Sequence, residues 1–298
     1  MSLNKVFLAI IFIALSLPAV AQVCYNNATP DNPGSDVLGF ITNRDSETGC
    51  RGLHISELQF RKLQLQDFGF GVKARNNRTL TDDFILYKTT TLDKVKFYPL
   101  KYAIRGTDPA STKAILESAY VRIWNGMPGK EKSTIIHGSL TKNVLISSVF
   151  SGIYRTNDEI VDSCERPIME VIVDLEGLFL EPGKYWLEWQ FKVEKGRTDF
   201  LAYRSVPLTS RGVTSTGDAL ISTDGGDSFE PVIDSGPTAA PQGFPFILTC
   251  TAESVAVEDE VLNPIPTMGE WGLISLGLLL LIVGITAIKE SKLQPKSD

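Results

Sequence analysis

The sequence lacks the usual signatures of enzymes and metal sites. It holds two histidines, His54 and His137, and no HExxH, GxSxG or P-loop motif. A serine triad assembled in space around either histidine, or a glycosidase-type carboxylate pair, stays invisible to sequence. The reading is therefore a protein without enzymatic activity and without a cofactor. Cysteines number four, Cys24, Cys50, Cys164 and Cys250, and none sits in a CxxC, which disfavours metal or redox chemistry. Positive charge is in deficit, 29 Lys and Arg against 35 Asp and Glu for a net charge of −6, so the basic patch that nucleic acid requires is missing. Between residues 50 and 250 there is no long apolar repeat of helical period.

What is present describes an address and an architecture. Lys5 precedes an apolar run over residues 6–17 that is too short to span a bilayer comfortably, and Pro18 ends it. Ala19 and Ala21 then supply the small residues of a signal cleavage site, predicting cleavage between Ala21 and Gln22. A lipoprotein reading fails because Val23, not a small residue, precedes Cys24. Export makes the even cysteine count read as disulfides, with three connectivities open. Cys24–Cys50 with Cys164–Cys250 is the favoured set, since the first pair would tie down a segment with little else to hold it; free buried thiols are the alternative.

Residues 22–52 form a loop-rich N-terminal segment dense in turn formers. Short strands follow over residues 53–250. Leu58, Phe60, Leu63 and Leu65 alternate with polar residues, and the slip at Arg61 and Lys62 predicts a bulge. Val95 and Phe97 continue the alternation, and Ala119, Val121 and Ile123 share a face of a strand ending at Trp124 before an Asn125-Gly126 turn. Residues 184–193 are the clearest strand: Tyr185, Leu187, Trp189, Phe191 and Val193 face one way, and Trp186, Glu188, Gln190 and Lys192 the other. Strands are also expected over 144–150, 168–175 and 244–249. Together these predict an all-β, single β-sandwich or jelly-roll-like ectodomain.

Residues 251–264 are an acidic linker, read as a flexible stalk. The C-terminal segment 265–298 opens with IPTMGEWG. Its uncharged span 271–288 is just long enough to cross a membrane, with Trp271 at one interface and Lys289 and Lys292 at the other. Ile265, Pro266, Thr267, Trp271 and Gly272 followed by this Leu-rich span resemble the bacterial C-terminal sorting signals of the Ile-Pro-Thr-Leu type, with Met268 in place of Leu. That resemblance implies recognition by an exosortase-like membrane enzyme and cleavage near the motif. It covers only the last 30 or so residues. The segments TDDF (81–84), VRIWNGMPG (121–129), IYR (153–155), RPI (166–168), LEPGKYWLEWQ (180–190) and PQGFPFIL (241–248) occur in the order seen in a group of uncharacterised secreted bacterial β-proteins. That likeness implies one domain and no particular activity.

STDGGDSF (222–229) fits an Asp-box turn: Asp224 caps it, Gly226 permits the tight backbone and Phe229 anchors it inward. Calcium at Asp224 and Asp227, at Asp31 and Asp36, or at Asp82 and Asp83 is the competing reading. Adjacent carboxylates on a strand point to opposite faces, which argues against Asp82 and Asp83 sharing an ion. Trp186, on the polar face of its strand, is the candidate ligand contact, placed to stack on a sugar if exposed. The expected role is an exported cell-envelope protein, inserted through its span and then displayed or secreted as a binding or adhesion module for a glycan or protein ligand. A purely structural matrix component, and behind it a secreted hydrolase, are the alternatives.

Overall fold

The computed structural model describes residues 21–27, 53–58, 60–72, 74–101, 111–160, 162–194, 203–208 and 216–251. The signal-peptide run, Asp31, Asp36, Cys50, the acidic linker, the sorting motif Ile265, Pro266, Thr267, Trp271 and Gly272, and the span 271–288 lie outside the described residues. Among the described residues no helix is long and apolar enough to cross a membrane.

The regular structure of the described residues is mostly strand: β1 (Ala21–Asn26), β2 (His54–Leu58), β3 (Phe70–Gly71), β4 (Thr79–Leu86), β5 (Thr90–Phe97), β6 (Pro99–Lys101), β7 (Leu116–Trp124), β8 (Ile135–Ser139), β9 (Leu145–Asn157), β10 (Pro167–Leu180), β11 (Gly183–Val193), β12 (Tyr203–Ser205), β13 (Leu220–Ser222), β14 (Glu230–Pro231) and β15 (Phe246–Thr251). They form two sheets. The larger runs β1-β15-β5-β10-β6-β12-β3, with β9 on β10 and β2 on β9; the smaller runs β14-β13-β4-β11-β7-β8. All pairs are antiparallel except β2 with β9, which are parallel. The all-β expectation holds.

Period two explains how the sheets meet. Leu80 and Phe84 of β4, Val121 and Ile123 of β7, and Leu187, Trp189 and Phe191 of β11 project from the smaller sheet. Val95 and Phe97 of β5, Val171 and Val173 of β10, and Phe246 and Leu248 of β15 meet them from the larger one, in one continuous core. Trp189 is its centre: its ring lies 5.1 Å from Phe97 and 5.8 Å from Phe244, and its indole N–H donates to Ser205 Oγ at 3.0 Å.

Two local expectations are corrected. The slip after Leu58 is not a bulge but a helical turn, α1 (Phe60–Leu63). Its exposed amides have a remote partner: Arg61 N and Lys62 N donate to the two carboxylate oxygens of Asp158, at 3.0 and 3.1 Å. In the segment read as loop-rich, residues up to Asn26 belong to β1, paired with β15 across the whole length of the domain sequence.

Candidate functional site

The outer face of β11 carries the residue singled out as a ligand contact. In register, Trp186 stands between Asp83 of β4 and Trp124 of β7, and Glu188 between Thr81 and Arg122. Tryptophan on a polar face predicts a stacking platform, but Trp186 is only 2% exposed and Glu188 is fully buried. The expected contact is therefore corrected: Trp186 is a packing residue.

The cover is the Asp-box hairpin. β13 and β14 pair through Leu220 with Pro231 and Ile221 with Glu230, and β13 extends β4. The loop between them folds over β11 and β7, so that Phe229 meets Trp124 edge-on at 5.8 Å and Trp124, Trp186, Leu220, Met127 and Phe229 form a small core of their own. Inside the loop, Asp224 acts as read from sequence. Its Oδ1 accepts the amides of Asp227 and Ser228 at 3.1 and 3.0 Å and the Ser222 hydroxyl at 2.7 Å. Those bonds, led by the Ser228 hydroxyl, hold the Asp224 carboxyl well below the usual carboxylate range. All its oxygens serve the turn, which favours the structural reading over calcium.

Beneath the hairpin lies a charge pair that sequence reasoning missed. Arg122 grips Glu188 with two bonds, Nε to Oε2 at 2.8 Å and Nη2 to Oε1 at 2.6 Å. Trp124 Nε1 donates to the same Oε2 at 2.8 Å. Arg122 Nη2 also reaches the Gly225 carbonyl at 3.0 Å, tying the lid to the sheet. Gly226 has φ +92°, and a Cβ there would sit 1.9 Å from Arg122 Nη2, so only glycine admits the arginine. The available signal was the coincidence of a Trp-x-Glu face with an Asp-box turn that needs something to cover.

Three carboxylates meet at the edge of this face. Asp82, Asp83 and Asp218 each place an oxygen within 4.8 Å of the others. The expectation that Asp82 and Asp83 diverge is corrected for a local reason: Asp82 Oδ1 turns back to accept the amide of Asp83 at 2.9 Å. Asp82 Oδ2 accepts the amide of Phe244 at 2.7 Å. Asp83 pairs with Lys184, whose ammonium also lies 5.5 Å over the Trp186 ring. Burial pushes the Asp82 carboxyl up strongly, and burial with the neighbouring Asp218 charge pushes Asp83 up. The oxygens suit a hard cation in kind, but two amides and a lysine already occupy them.

His54 is exposed on β2 and His137 half-buried on β8, in different sheets. Another buried carboxylate, Asp234, accepts the amides of Gln66, Asp67 and Gly236, while Asp67 accepts that of Ser235 at 2.7 Å; this reciprocal clasp fastens two distant loops.

The favoured cysteine pairing is corrected. Cys24 and Cys250 are free thiols, so neither the Cys24–Cys50 nor the Cys164–Cys250 bridge is formed; Cys164 is disulfide-bonded. Cys24 and Cys250 instead lie on the paired strands β1 and β15, each thiol donating to a carbonyl of the opposite strand at 3.5 Å. The reason is the pairing of the first strand with the last, which chain spacing does not reveal. Ala21 and Gln22, the predicted cleavage residues, open β1.

Comparison of the chain with protein-family models, with curated proteins and with solved structures finds no match.

Proposed function

We propose that the protein is an exported, non-catalytic module of the cell envelope or its matrix, displayed or released after an exosortase-like enzyme acts on its C-terminal tail. The observation that carries this reading is where the sandwich begins and ends. Ala21 pairs with Thr251, and Gln22 with Cys250. Cleavage between Ala21 and Gln22 would take only the first residue of β1, leaving residues 22–26 to pair with β15, and the chain runs on toward the acidic linker from Thr251, the partner of Ala21.

The ligand class that fits is protein rather than glycan. Trp186 offers no stacking surface, whereas β8 and β9 carry exposed aliphatics, Ile135, Ile136, Ile146 and Val149. A purely structural matrix role is the second reading, favoured by β8, which ends the smaller sheet and, among the described residues, has no strand on its outer edge.

The test is the fate of the tail in the native host. On this reading Pro266 would fix an extended backbone ahead of the span, and Trp271 would set its depth at the interface. Pro266→Ala with Thr267→Ala should leave insertion intact and stop tail removal, so that the chain accumulates uncut in the inner membrane. Processing and release at the wild-type level would reduce the segment to a plain anchor.

A further inference from the structure

We infer that Cys24 and Cys250 are a disulfide site, a covalent latch that fastens the first strand of the sandwich to the last. The inference rests on the export reading for its oxidising surroundings.

The geometry comes from register. β1 ends the larger sheet and is held there by β15. Gln22 stands opposite Cys250, so Cys24, two residues on, shares its face. A bulge between Val23 and Tyr25 then turns Tyr25 to that face as well, where its ring packs on Phe84 and Phe246 at 5.9 and 5.7 Å. Cys250 continues the inward series Phe246 and Leu248. Both sulfurs therefore lie on the core side of the strand pair. Each binds a carbonyl of the opposite strand: Cys24 Sγ donates to Leu248 O and Cys250 Sγ to Gln22 O, both at 3.5 Å. Rotation about χ1 and a small shift of an edge strand bring the sulfurs to bonding distance.

The oxidant is a disulfide, either that of an exported dithiol oxidoreductase or oxidised glutathione. One cysteine thiolate attacks it, its S–S bond breaks, and one thiolate leaves. The second cysteine attacks the resulting mixed disulfide, the Cys24–Cys250 bond forms, and the oxidant departs reduced by two electrons. The two protons lost from Cys24 and Cys250 pass to the two released sulfurs. Burial raises the Cys24 thiol, which disfavours attack from the closed strand. The bond therefore forms while β1 is frayed or before it docks.

The function of the latch follows from position. Cys250 is one residue from the end of β15, where the chain leaves for the linker. Joined there, the N-terminal strand cannot peel away when the tail is pulled or cut.

The test uses the full chain, purified in detergent under reducing conditions and equilibrated with a mixture of oxidised and reduced glutathione. Free thiols are alkylated and the peptides mapped. A peptide pair joined through Cys24 and Cys250 is the expected result; both thiols alkylated, or either joined to another cysteine, overturns the inference. The drop in Tm on reduction should be larger, on the order of 10 °C, for wild type than for Cys24→Ser with Cys250→Ser, a difference that isolates this bond from the one at Cys164. Equal drops overturn the latch. Mapping protein recovered from the native envelope, with its N-terminus read in parallel, separates the two proposals. A start at Gln22 with both thiols free overturns the pairing. A start at Met1 with free thiols, beside a cross-link in the glutathione buffer, removes the export reading and supports the pairing.

Discussion

The two faces of β11 are buried alike and by opposite means. The inner face, Leu187, Trp189 and Phe191, is covered by a whole second sheet of matching apolar side chains. The outer face, Trp186, Glu188 and Gln190, is covered by a hairpin and held by a charge pair. Apolar burial is non-directional and tolerates imprecise partners. A buried carboxylate is paid for only when its donors stand at the right distance, and here Arg122 and Trp124 both do. Both faces therefore contribute to stability, the inner through apolar area and the outer through a geometry that lets the lid close in one way.

The largest test of this contrast is Glu188→Ala. It leaves Arg122 without its carboxylate and the Trp124 indole without an acceptor, and should cost about 3–5 kcal/mol in urea denaturation. Trp189→Ala on the inner face should cost a similar amount, about 3–5 kcal/mol, through the cavity it opens. The two differ in rescue. Replacing Glu188 and Arg122 together by Leu and Met should recover most of the loss, because no uncompensated charge remains, whereas no neighbour can refill the Trp189 site without repacking both sheets. A loss under about 1 kcal/mol for Glu188→Ala would mean that the charge pair does not hold the outer face.

A smaller effect is expected at Phe229, which is only partly buried against Trp124. Phe229→Ala should cost about 2 kcal/mol, below the value for a fully enclosed ring. Tryptophan emission should shift to the red as Trp124 and Trp186 gain water, while the inner Trp189 stays dry. An unchanged spectrum would show that the hairpin is not the lid.

The smallest effect lies at the rim, where Asp83 and Asp82 have raised carboxyl groups. In the folded protein these acids keep their protons to higher pH than in the unfolded chain, so stability is fullest below the ordinary aspartate range and falls as pH rises toward the raised values. Asp218→Asn removes one of the charges that raises both, and should flatten the fall of Tm as pH rises above the ordinary aspartate range. A parallel slope in wild type and variant would show that the three carboxylates do not interact.

Much of this architecture could be read from alternation. The inward series of β11 and β7, the turn role of Asp224 and the all-β class each follow from residues a few positions apart. Most of the missed features share one property: their partners are distant in sequence. Asp158 caps α1 from 96 and 97 residues away, and Asp234 takes the amides of Gln66 and Asp67 from 168 and 167 residues away. Trp186 shows the limit most clearly. Period two places it correctly opposite the core face, but nothing within β11 says whether that second face meets water or a lid.

The sequence alone therefore decided what depends on local periodicity and composition: short strands, one apolar core and the Asp-box turn, since each is set by side chains whose spacing matches the strand or turn that carries them. Tertiary structure decided which strands are neighbours, and with that the fate of every polar group on an inner edge. It brought β1 with Cys24 onto β15 with Cys250, drew Asp82, Asp83 and Asp218 together, and buried Trp186 against Trp124 and Leu220. The reason is physical: hydrogen bonds and charge pairs act over a few ångströms of space, and strand pairing, not chain distance, sets which groups come that close.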